Sequence, residues 1–157
     1  MILLKIPDNE KLLAAIGSIS IRHGQLDYCL KLTIKSILGV SIREAVDGTY
    51  RQQSSELRKR IKTMAKQKFG EGETFLKLEA LLNRASMATE KRNKILHSLF
   101  AYELDGAPVI RNDDHSFGPF PNIPELSVIS NELATITTEL NEARTEEGGF
   151  LKEALSQ

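Results

Sequence analysis

Residues 73–98 read ETFLKLEALLNRASMATEKRNKILHS, and the periodicity of this stretch decides the fold class. Leu78, Leu81, Leu82, Ala85, Ala88 and Leu96 recur at short helical steps, and Leu99 continues the pattern just beyond. Apolar residues at that spacing line one side of an α-helix, whereas a half-buried strand would alternate. Asn83, Ser86, Glu90, Asn93 and His97 gather in a separate polar stripe. Arg92 departs from this division, because it falls inside the apolar stripe between the directions of Ala88 and Leu96. A guanidinium stays charged, so it needs an anion, dipoles or a route to water along its stem. One reading is architectural: Arg92 pairs with a carboxylate, with Asp27 the preferred partner and Glu90 the other candidate.

Upstream, residues 8–38 carry a second long helical pattern. Ile16, Ile19, His23, Leu26, Leu30 and Ile37 form its seam, Asp8 is placed to cap it, and Gly39 stops it. His23 has Asp27 one turn later, so it reads as a core histidine satisfied by that carboxylate or as a supporting member of a site. Gly17 and Gly24 either weaken this helix or admit a close neighbour. Cys29, the single cysteine, reads as a small buried hydrophobe, and one cysteine supports neither a disulfide framework nor a thiolate zinc site. Residues 41–50 allow one short helical turn. A basic helix follows, capped by Ser54 or Ser55 and ended by Gly70, with Arg58, Lys59, Arg60, Lys62, Lys66 and Lys68 along it.

Downstream the character changes. Residues 99–111 read as a small β-hairpin turning at Asp105-Gly106, a dipeptide that favours tight primed turns. Residues 112–124, with Pro119, Pro121 and Pro124, read as a loop. Pro124 opens a last helix over residues 124–147 that carries Leu126, Ile129, Leu133, Ile136 and Leu140. Gly148-Gly149 end it and leave residues 150–157 to fray. The expectation is one all-α domain over residues 1–157, a bundle of about five helices with a small hairpin.

The 157 residues are 41% hydrophobic and 27% charged, which suits a packed core and excludes collagen-like or low-complexity chains. No apolar run approaches about 20 residues, so no membrane helix is expected. The opening, Met1 to Pro7, is too short for a signal peptide, and the expected location is cytoplasmic. A net charge of zero hides an asymmetry. Residues 51–97 hold 12 Lys and Arg against 5 Asp and Glu, whereas residues 101–157 hold 3 against 11. The basic section suits an anionic partner, a second copy or plain solvation, and the acidic tail helix could cover it.

Arg92-Asn93-Lys94-Ile95-Leu96-His97 is an arginine, a polar residue, three variable positions and a histidine near a helix end. This pattern resembles the signature of the HEPN superfamily (higher eukaryotes and prokaryotes nucleotide-binding). The resemblance covers about the first 100 residues, including the long first helix and the basic helix before the motif. It implies a helical core with the hairpin and tail helix as additions. It also implies a homodimer with two motifs facing across the interface, and RNA cleavage without metal or cofactor. Arg92, Asn93 and His97 would then be catalytic. His97 would move protons, the commonest role of a histidine in general acid–base catalysis. Arg92 offers a planar fork to phosphate oxygens, and Asn93 can hold the His97 ring or contact phosphate. Asp27, Glu90 and His23 would support them, and Arg58, Lys59, Lys62 and Lys66 would attract RNA. The activity implied is that of an endoribonuclease or toxin-type effector in bacterial defence or stress, with an antitoxin protein as partner. The alternatives are a non-catalytic HEPN-like module that binds a nucleotide or protein, and a plain helical dimerisation domain.

Other patterns point elsewhere only weakly. Asp113-Asp114-His115 combines metal-ligating residue types, but nothing completes such a site, and it reads as solvated loop. No Gly-rich phosphate loop or nucleophile elbow is present.

Overall fold

A 29-residue helix, α1 (Glu10–Leu38), organises the computed structural model, which describes residues 2–3, 8–98, 100–103, 108–112 and 114–157. Its cap is Asn9 rather than Asp8: the Asn9 side chain accepts the Leu12 N–H at 3.1 Å, and its carbonyl accepts the Leu13 N–H. Gly39 ends the helix with φ 69°, a left-handed conformation that costs glycine nothing. Ile19, Leu26, Leu30 and Ile34 are fully buried along α1, with His23 and Cys29 on the same buried side. Burial pushes the Cys29 thiol up from its ordinary range, as befits an inert core residue. Among the described residues, no atom of another segment stands within 4 Å of where a Gly17 or Gly24 side chain would begin.

A short helix, α2 (Ile42–Asp47), is capped reciprocally by Ser41 and Glu44. The basic helix α3 (Ser54–Phe69) starts after Gln53, whose N–H donates to the Glu56 carboxylate at 2.7 Å. Ser54 therefore does not cap; its hydroxyl accepts from Arg58 instead. Helix α4 (Glu73–Leu96) buries Phe75, Leu78, Leu81, Leu82, Ala85 and Ala88, close to the expected stripe. At its end Ile95 takes the buried position, and Leu96 is half-buried.

The expected hairpin is present as β2 (Phe100–Glu103) and β3 (Pro108–Arg111). Its turn, Asp105-Gly106 included, lies outside the described residues, as do Leu99 and Asp113. Two further strands enlarge it: β1 (Ile2–Leu3) and β4 (Phe117–Pro119) give an antiparallel sheet in the order β1-β2-β3-β4. Residues 112–124 are thus not all loop. Strands of two and three residues are too short to display alternation, which explains why periodicity misses them.

The tail helix α5 (Ile123–Thr145) begins one residue earlier than expected, with Asn122 and Glu125 capping each other's backbone. It lies along α1 and α4. Leu126, Leu133, Ile136 and Leu140 are fully buried, and the Ser130 hydroxyl bonds to that of Ser18 at 2.9 Å across the α1–α5 seam. Arg84 of α4 holds Glu132 with two nitrogens and Glu139 with a third. The last residues do not fray: α6 (Phe150–Leu155) docks with Leu151 fully buried. A side chain at Gly149 would come within 2.5 Å of the Glu142 carbonyl, so glycine permits this close return. Among the described residues, no helix is long and apolar enough to cross a membrane.

Helices α1, α3, α4, α5 and α6 all contribute to one apolar cluster. Leu26→Ala, at the centre of α1, should therefore lower unfolding free energy by about 2–5 kcal/mol. Urea denaturation measures this, and a loss well under 1 kcal/mol (about the exposed-site range) would contradict the packing described.

Candidate functional site

Where α1, α3 and α4 converge, the polar residues that interrupt their apolar faces line one cavity of about 610 Å³. Helix α1 supplies His23 and Asp27, α3 supplies Ser54, Ser55 and Arg58, and Gln53 stands at the α3 cap. Helix α4 supplies Ser86, Thr89, Glu90, Arg92 and Asn93, and His97 follows its last turn. The spacing of Asn93 and His97 along α4 places both at one mouth of the cavity, where both are exposed.

Arg92 is half-buried, and its head group turns along its own helix. Nη1 donates to Asn93 Oδ1 at 2.9 Å and stands 3.2 Å from His97 Nε2, where a neutral imidazole accepts the bond. None of the ion pairs among the described residues involves Arg92. The expected pairing of Arg92 with Asp27 is thus not formed. Asp27 faces His23 instead, with Oδ2 3.6 Å from Nδ1. The Arg92 stem is long enough to reach the helix end, so its Cα direction on the wheel did not determine its partner.

His23 is almost wholly buried. Burial pushes its pKa below the ordinary 6.5; Asp27 opposes this, while the Arg92 and Arg58 guanidinium groups reinforce it. The ring is therefore held neutral. Three buried polar atoms of the cavity wall have no hydrogen-bond partner: His23 Nε2, Asp27 Oδ1 and Arg92 Nε. Native interiors leave few such atoms, and their concentration here marks a place built for something other than packing.

The basic helix divides. Arg58 turns inward and donates to Ser54 Oγ at 2.6 Å, Thr89 Oγ1 at 3.3 Å and Ser86 Oγ at 3.5 Å. Lys59 is exposed. Lys62 pairs with Glu79, and Lys66 with Glu71. The acidic tail helix lies against α1 and α4, and of the basic section it engages Arg84 rather than the lysines of α3. The hydroxyl groups of Ser54 and Thr89 were absent from the expected site. The four-residue spacing of Ser54 and Arg58 was a usable signal for the first.

Among the described residues, no group of three or more His, Cys, Asp or Glu is placed to hold a metal ion. Asp114 binds the Ser116 N–H and hydroxyl, and His115 contacts Arg111. Chemically, the cavity combines two fixed cations, the carboxylates of Asp27 and Glu90, a buried and an exposed imidazole, and several hydroxyls. That set can bind an anion and move a proton beside it.

The buried neutral His23 fixes a sign for stability against pH. The unfolded chain binds the proton more readily, so the contribution is present above 6.5 and is lost as pH falls toward the depressed folded value. Between about pH 7.5 and about pH 5.5, wild type should lose more stability than a folded His23→Gln variant, measured by urea midpoints. Parallel curves for the two proteins would rule out this role for His23. No family model, curated protein or solved structure matches the chain, so the chemistry of this cavity carries the functional reading.

Proposed function

We propose that the chain is a HEPN-like endoribonuclease that works without metal, with Arg92, Asn93 and His97 as its catalytic residues. The observation that carries this reading is the state of Arg92: a half-buried guanidinium bonded to Asn93 and set beside the exposed His97 ring, in no ion pair among the described residues. Arg84, by contrast, is neutralised by Glu132 and Glu139.

In the proposed reaction the 2′-hydroxyl oxygen of RNA attacks the adjacent phosphorus as a base removes its proton. The bond to the 5′-oxygen breaks, and an acid protonates that leaving group. The products are a 2′,3′-cyclic phosphate and a 5′-hydroxyl. His97 performs one proton transfer, and His97 of a second copy performs the other in a symmetric dimer. Arg92 offsets the charge that gathers on the non-bridging oxygens, and Asn93 keeps its fork aimed. The setting that suits such an activity is the bacterial cytoplasm, as a toxin-type effector restrained by an antitoxin protein.

Purified protein should cut single-stranded RNA in the presence of chelator. His97→Ala and Arg92→Ala should each lower the rate by about 10²–10⁴-fold. Intact RNA with wild type, or equal cutting by both variants, would falsify the reading. A chain that stays monomeric at high concentration would remove the two-copy arrangement.

A further inference from the structure

We propose that Arg58 is a second phosphate-binding residue of this cavity, holding the backbone phosphate next to the one that Arg92 and His97 engage. The inference rests on a nucleic-acid strand being the ligand, as proposed above, but not on the strand being cut.

Four observations lead there. The first is direction. On its helix Lys62 and Lys66 pair with acids, and Arg60 and Lys68 bond backbone carbonyls of neighbouring segments, whereas Arg58 turns into the cavity and is half-buried. Moving a guanidinium out of water is costly, and that cost needs a reason. The second is the nature of its partners. All three are hydroxyl oxygens, from Ser54, Thr89 and Ser86, and the last bond is long at 3.5 Å. Hydroxyls orient the fork without cancelling its charge, and a hydroxyl can turn to donate to an incoming oxygen. Asp27 and Glu90 do attract Arg58. None of the ion pairs among the described residues includes it, however: Asp27 is turned to His23, and Glu90 is exposed.

The third observation is the second cation. Arg58 and Arg92 both act on the buried His23 ring, one from α3 and the other from α4. Burial weighs most on Arg58, and Asp27 and Glu90 offset it only in part, so a further anionic group beside it would be favoured. The fourth is room and unmet bonding. The cavity, at about 610 Å³, lies in the range of small-molecule sites and exceeds what a single phosphate group fills. Arg92 Nε and the Nε2 atom of the nine-tenths-buried His23 still lack partners at its wall. Two arginines on two helices suit two phosphate groups, and adjacent phosphates on one strand supply them at a fixed separation.

A 2′-O-methyl oligoribonucleotide tests this, because it keeps the phosphates and has no free 2′-hydroxyl to react. Arg58→Gln should weaken its binding by about tenfold or more. It should also reduce the slope of log affinity against log salt by about 0.7, as expected for one lost phosphate contact on a single strand. Arg58→Lys should recover part of the affinity, since it restores a charge but not a fork. Lys62→Gln and Lys66→Gln should move the slope less, because Glu79 and Glu71 already hold those cations. Unchanged affinity and slope in Arg58→Gln would overturn the proposal, as would a wild type that binds no strand at all. Should Arg58→Gln fail to fold by circular dichroism, Arg58→Lys decides: affinity within about twofold of wild type overturns it. Cleavage separates the two readings. Arg58-dependent binding by a protein that cuts no RNA sustains this assignment and removes the nuclease. Normal cutting and binding by Arg58→Gln removes this assignment and leaves the nuclease standing.

Discussion

Burial of α1 on several sides at once is the constraint on which the rest of the molecule depends. A helix of this length cannot hide its apolar residues against one neighbour, and α3, α4 and α5 each cover part of it. The most extensive of these seams is the one with α5, where Ser18 bonds Ser130 and the Cys29 thiol faces the Thr137 carbonyl. With α1 in the centre, the remaining helices have little freedom in where they lie. The tail helix, which sequence alone made an addition to a smaller core, becomes part of the core itself, since Leu133, Ile136 and Leu140 are among its fully buried side chains.

The same constraint explains the cavity. His23 occupies a position on α1 that the packing pattern assigns to an apolar side chain. Arg92 does the same on α4, and Arg58 turns inward from α3. Each alone would be a local error in a hydrophobic pattern. They fall at one junction of three helices, and so they share one polar pocket rather than three separate penalties. Natural sequences break their own patterning mainly where a site needs it, and this junction is where the break is deepest.

Much of this was legible from residue order. The long helices followed from apolar recurrence, and Asn93 and His97 followed from their spacing on one face. Caps moved by one residue, from Asp8 to Asn9 and from Ser54 to Gln53, because adjacent polar residues compete for the same backbone donors. The partner of Arg92 was not legible. A helical wheel gives the direction of a Cα–Cβ bond, and a guanidinium sits several rotatable bonds beyond it. Arg58 was hidden for a related reason: among so many cations on one helix, composition could not say which one turned inward. The short outer strands were invisible because pairing between distant segments, not local pattern, creates them.

That last point bears on how the chain reaches its folded state. Strand β1 pairs Ile2 with Glu103 and Leu3 with Tyr102, joining the beginning of the chain to the segment that follows α4. Helices α1 to α4 all lie between these partners, so the loop they close is a long one. The entropy of closing it must be met before two residue pairs can offer much in return. The α1–α5 seam closes a loop at least as long, from Ser18 to Ser130, but it spreads that cost over a row of fully buried side chains. The edge of the sheet thus sets a long closure against two residue pairs, whereas the helical seam sets a similar closure against many.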